Sequence, residues 1–153
     1  MSSQALRLFR RLGGSAPGRW LYARLICFQA PYFASIRPGI ERLEPGTCTV
    51  RFRQRRAIQN HIGTVHAIAL CNAAELAGGL ATDATIPDAM RWIPKGMGVR
   101  YLAKARGALV ATARVPAIDD GPGREVHALV EVRDAAATLV FDADITMWVS
   151  SKR

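Results

Sequence analysis

No stretch of this chain approaches the roughly eighteen consecutive apolar residues of a membrane-spanning helix, so none is expected. Cysteine is scarce: Cys27, Cys48 and Cys71 stand far apart, an odd number without paired spacing. That argues against a disulfide framework or a zinc site, and suits a reducing cytoplasm. Acid is missing from the first 40 residues, which carry six arginines; Glu41 is the first carboxylate. Internal repeats and low-complexity tracts are absent as well. What is present is a chain of 153 residues, half of them hydrophobic, which is enough for one domain with a substantial core. Lys and Arg number 21 against 12 Asp and Glu, a net charge of +9 that favours an anionic partner. Coenzyme A, an acidic carrier protein, nucleic acid or a membrane surface would each qualify. No aromatic-basic interleaving or recognition motif points to nucleic acid, so none is expected as a partner.

An acid-poor start bearing arginine reads either as a mitochondrial targeting segment or as amphipathic helices packed on the domain. The second reading is preferred, because Leu6, Phe9 and Leu12 fall at helical spacing. One helix is expected over Gln4 to Leu12, broken by the glycine-rich run at 13–18. Another is marked by Trp20, Leu21, Arg24, Leu25 and Phe28 and ended by Pro31. The expected division is a helical extension over 1–30 and a main domain over 31–153.

Strand signals follow. Phe33 to Leu43 is one candidate, interrupted near Pro38-Gly39, and Glu44-Pro45-Gly46 is a turn. Thr47 to Arg53 alternates, with Val50 and Phe52 on one face. Beyond Pro87 come Arg91 to Tyr101, Ala108 to Val115, Arg124 to Arg133 and Thr138 to Ser150, read as four strands in a meander. On the last, Asp142 and Asp144 face outward and are expected to be solvated. Between the two groups of strands, Thr64 to Ala81 is rich in Ala and Leu and apolar all round, which predicts a helix buried on most sides with Thr64 as its N-cap. Two strands, one buried helix and four strands predict an α+β fold, a curved antiparallel sheet wrapped around one long central helix.

Three polar residues bracket that helix. Asn60 precedes it, His66 falls in its first turn, and Glu75 is its only formally charged residue. The nine residues from His66 to Glu75 turn a helix by about 900°, leaving them roughly 180° apart. A site using both therefore needs a second subunit. A helix N-terminus offers unpaired N–H groups that can stabilise an oxyanion. A carboxylate in apolar surroundings is a candidate base or nucleophile, with a raised pKa unless paired. Each residue also has a structural reading: Glu75 as a buried acid paired with arginine, His66 as a cap, Asn60 as a turn-capping residue.

At these residues the sequence resembles the hotdog superfamily of acyl-CoA thioesterases, closest to the phenylacetyl-CoA type and an uncharacterised thioesterase branch. That pattern has an Asn in the loop, a Gly, then His-Gly-Gly opening the central helix and an acid nine residues after the His. Asn60, Gly63, His66 and Glu75 stand at the matching spacing; Ala67 and Ile68 replace the two glycines. The resemblance implies a hotdog fold and a homodimer, or a tetramer of two such pairs, with sites at the subunit interface. It implies Glu75 as base or nucleophile, Asn60 orienting water or substrate, and N–H groups near His66 and Ala67 as the oxyanion site. Gly63, Val65, Ala67 and Ile68 would line the thioester, Ile68 narrowing its approach.

The expected substrate is an acyl-CoA or acyl-carrier-protein thioester, with no cofactor beyond the coenzyme A of the substrate and no metal. Arg51, Arg53, Arg55, Arg56, Arg100, Lys104 and Arg106 are candidates for phosphate counter-charge, of which Arg100, Lys104 and Arg106 are preferred. The alternatives are an acyl-thioester-binding protein without turnover and a hotdog dehydratase or hydratase. The dehydratase signatures are not matched by His61-Ile62-Gly63.

Overall fold

The computed structural model describes residues 3–152. The ends of the two expected units (Met1, Ser2 and Arg153) lie outside the described residues. Helices α1 (Gln4–Leu12) and α2 (Ala16–Gln29) form where expected, each opened by a serine. Ser3 Oγ accepts from Leu6 N and Ser15 Oγ from Gly18 N, replacing a partner that first-turn N–H groups lack. Both helices share the main core: Leu6 and Tyr22 are fully buried in the same cluster as the sheet residues, and burial of a leucine contributes about 2–3 kcal/mol, whereas the Tyr22 hydroxyl is buried without a partner among the described residues.

Residues Pro31–Ile36 form a 3-10 helix rather than the start of a strand. Pro31 presets the helical φ, and the strand begins only past Pro38, which lacks an N–H for a ladder. Strand β1 (Gly39–Glu44) pairs with β2 (Thr47–Arg53) across a turn in which Gly46 takes φ +86°. Helix α3 (Ala67–Thr85) follows, then β3 (Met90–Tyr101), β4 (Ala108–Arg114), β5 (Arg124–Asp134) and β6 (Leu139–Ser151). The sheet is antiparallel with order β1-β2-β4-β5-β6-β3.

The architecture is α+β, as the residue pattern implied. Two details differ. Strands β4 to β6 form the meander, whereas β3 crosses to the far edge and pairs with β6. Helix α3 begins at Ala67 and runs to Thr85, capped by His66 and not by Thr64. Thr64 is drawn into the preceding loop, where its hydroxyl accepts from Asn60 Nδ2 at 2.7 Å.

Helix α3 touches all six strands, so the sheet must curve around it. Gly78 makes the close approach possible: a Cβ there would lie 2.9 Å from Ile145 Cδ1 and 3.4 Å from Ala128 Cβ. The wrap is incomplete. On α3 the face carrying Ile68, Cys71 and Glu75 is left at least partly open, and β3 is exposed along most of its length. The opposite edge strand, β1, is contacted by α1 and α2.

Candidate active site

The loop before α3 is built around Asn60. Its Oδ1 accepts from Ile62 N (3.2 Å) and Thr64 N (3.0 Å), and its Nδ2 donates to Thr64 Oγ1. Gly63 takes φ +72°, a conformation that L side chains rarely adopt, and its carbonyl accepts from Gln54 Nε2 at 2.9 Å. The loop is then tied to its neighbours, Val65 N donating to Ala105 O in the β3–β4 connection and His66 N to Ile58 O in the 3-10 turn at Arg56–Ile58. Val65 is buried at 3 % exposure.

His66 is the N-cap: its Nδ1 accepts from Ile68 N at 3.1 Å. Its own N–H is spent on Ile58 O, and the N–H groups of Ala69 and Leu70 bond His66 O. Of the N–H groups at this helix start, only that of Ala67 has no partner among the described residues. The expected oxyanion donors therefore narrow from a pair near His66 and Ala67 to Ala67 alone. It opens on a cavity of about 390 Å³ that Asn60, Tyr101, Leu102 and Lys104 also line.

Glu75 sits elsewhere. Its side is exposed, not buried as an all-apolar helix suggested, because the strip running through Ile68 and Cys71 is uncovered in one chain. No ion pair or hydrogen bond holds Glu75 among the described residues, so the reading as a structural acid paired with arginine does not apply. Glu75 lines a second, larger cleft of about 790 Å³ between α3, β3 and the two N-terminal helices. Within a single chain, Glu75 and the group of Asn60, Ala67 and Lys104 thus face different cavities. The divergence follows from the rotation along the helix.

The basic residues divide similarly. Arg100 is not free for phosphate: it lies opposite Asp142 in the β3–β6 register, and Nε donates to Asp142 Oδ1 at 2.9 Å. The same hydrogen bonding holds the Asp142 carboxyl below its ordinary range. Asp142 is therefore not simply solvated, and Asp144 is likewise paired, its Oδ1 lying 2.7 Å from His127 Nδ1. Lys104 and Arg106 are exposed and make no ion pair among the described residues.

Tyr101 and Asn72 were not legible as site residues. Tyr101 Oη lies 3.4 Å from Cys71 Sγ, and that bond, helped by burial, pushes the phenol up to about 12. Asn72 is buried three residues before Glu75, donating to Ser35 Oγ at 2.9 Å, while its Oδ1 has no partner among the described residues. Its polarity within an apolar helix was the available signal.

The family model described as "Domain of unknown function (DUF4442)" matches residues 18–149. No curated protein matches. Among solved structures, one described only as that of a structural-genomics target, APC5556, is 44% identical; the match covers 97% of each chain with a TM-score of 0.83. A Pseudomonas aeruginosa protein of unknown function, named a probable thioesterase, is 23% identical over 86% of this chain and 95% of its own, TM-score 0.75. The thioesterase HI1161 from Haemophilus influenzae is 14% identical over 86% and 90%, TM-score 0.74. At these lower identities the likeness speaks for the fold alone, which is the hotdog fold.

Proposed function

We propose, from the premise that this chain belongs to the DUF4442 family within the hotdog thioesterase superfamily, that it hydrolyses an acyl thioester of coenzyme A or a carrier protein. The observation carrying the reading is Glu75: a carboxylate on the central helix, exposed on a cleft wall, with no hydrogen-bond or ion-pair partner among the described residues. Its lone pairs are available for chemistry. The N–H of Ala67, at the start of the same helix and unpartnered among the described residues, supplies the complementary charge.

These groups diverge within one chain, so the active unit is a dimer. Its interface is the bare strip of α3 together with β3, an edge strand with exposed Ile93, Met97 and Tyr101. Pairing two copies there covers an unpaired edge and buries apolar surface that water otherwise wets. It also offers Glu75 of one copy to the helix start of the other. Glu75 takes a proton from water as that water attacks the thioester carbonyl, and the Ala67 N–H meets the developing oxyanion. Collapse of the adduct breaks the C–S bond, and the thiolate leaves with the proton from Glu75. Lys104 and Arg106 remain available for coenzyme A phosphates. The protein works in the cytoplasm, where that substrate and reduced thiols coexist.

Glu75→Ala tests this. Thiol release from a panel of acyl-CoA thioesters should fall by about 10²- to 10⁴-fold, the range expected for loss of a positioned base. The thermal midpoint should hold, because the side chain is exposed and unbonded. Equal release by the variant would refute the assignment. Binding without turnover is the reading that Ile68 favours, being 52% exposed beside Ala67. Thermal stabilisation by acyl-CoA with no thiol release would establish it.

A further inference from the structure

The cleft beside Glu75 is walled on one side by the N-terminal helices, which the thioesterase-like motif does not include. Leu8 of α1 and Leu25 and Ile26 of α2 face Leu80 of α3 and Trp92 of β3 across it. Gly79, four residues beyond Glu75 and so on the same helix face, also lines it. A Cβ there would lie 2.9 Å from Trp92 Cη2, so the glycine lets the indole lie against the helix, where Asp83 Oδ1 accepts from Nε1 at 3.3 Å. The charged side chains lining the cleft balance among the described residues: Arg7, Arg91 and Lys152 against Glu75, Asp83 and Asp88. Such a site does not select an anion. Its lining runs along α3 from Glu75 to Asp83, about 12 Å at 1.5 Å per residue, and continues to Ile86 beyond the helix end. Its volume of about 790 Å³ lies toward the upper end of ordinary ligand sites, roughly 300–1,000 Å³.

We propose that this cleft is the acyl-chain chamber, that its occupant is a long aliphatic chain, and that α1 and α2 set the chain-length preference. The proposal rests on the thioesterase reading. An uncharged chain suits balanced walls, and a cleft of this length exceeds what an acetyl or propionyl group would fill. With the carbonyl at Glu75, the chain extends past the Trp92 indole toward Leu25 and Ile26.

The test compares wild type with Leu25→Trp, a substitution at a residue 42% exposed and so outside the tightly packed core. Hydrolysis of butyryl-, octanoyl- and palmitoyl-CoA is measured, with calorimetric titration of palmitate alone as the arm that needs no turnover. Wild type should show kcat/KM rising with chain length and should bind palmitate. Leu25→Trp should weaken palmitate binding and cut the palmitoyl rate at least about tenfold more than the butyryl rate, since several buried methylenes lose their place. A flat chain-length profile, an equal loss on all three substrates, or no palmitate binding by wild type overturns the chamber. So does a changed sedimentation coefficient in Leu25→Trp with an unaltered profile, which would assign the cleft to a second copy of the chain. If wild type cleaves no thioester yet binds palmitate, and Leu25→Trp weakens that binding, the chamber stands and the hydrolase reading falls.

Discussion

Asn60 shows how one side chain can organise a loop. Three hydrogen bonds converge on its side chain, all with Ile62 and Thr64 of its own loop. Its immediate work is to hold Thr64 and Gly63 in place so that the chain enters α3 at Ala67. Replacing it with alanine strands two N–H groups and a hydroxyl, and should cost about 2 kcal/mol in urea unfolding. The thiols differ by burial in the same way. Cys27 and Cys48 are buried while Cys71 is half-buried beside Tyr101. Burial raises the pKa of Cys27 and, further, of Cys48. At about pH 8 a thiol reagent should therefore leave Cys27 and Cys48 unlabelled in the native chain and label all three cysteines in urea. The sign for stability follows. The folded chain keeps the Cys48 proton where the unfolded chain loses it, so this contribution is present below the ordinary thiol range and is lost as pH rises above it. The urea midpoint should fall between about pH 8 and pH 10.

At the scale of elements, α3 is capped by an unusual residue. Histidine ranks below Ser, Asp and Asn as an N-cap, although His66 Nδ1 makes the capping bond to Ile68 N. His66→Asp should stabilise the chain by about 0.5–1 kcal/mol, adding a better acceptor and a charge favoured by the helix dipole. The same variant should depress thiol release, because a fixed anion beside Ala67 N–H opposes the oxyanion. Higher thermal midpoint with lower activity would separate capping from catalysis; a rise in both would remove Ala67 from the oxyanion role. Strand β3 is the other informative element. Its length and its ends were legible in Arg91 to Tyr101, yet its partner was not. Side chains say which face of a strand is buried, but a strand's neighbour depends on where the crossover lands it. Here the chain passes from α3 to the edge beside β6.

For the whole molecule, the two edges of the sheet are unevenly covered. β1 lies against α1 and α2, whereas β3 keeps Ile93 at 60% exposure on one face and Met97 and Tyr101 on the other. The chain should sediment as a dimer. Ile93→Asp with Met97→Asp should yield monomers by sedimentation equilibrium, with unchanged circular dichroism and lost hydrolysis. Monomers that keep full activity would place the whole site within one chain.

The sequence by itself determined the elements and the candidate carboxylate. Alternating Val and Ala positions marked the strands, the Ala-rich run marked α3, and one acid in that run marked Glu75, because burial and propensity act through local pattern. The 3-10 helix at Pro31–Ile36 escaped notice because its apolar residues suit a short strand equally well. Tertiary structure alone decided that Glu75 is exposed, that Arg100 is consumed by Asp142, that Ala67 alone keeps an unpartnered N–H at the start of α3 among the described residues, and that α1 and α2 wall a cleft. Each of these depends on residues far apart in the chain meeting in space, and a periodic pattern carries no record of such meetings.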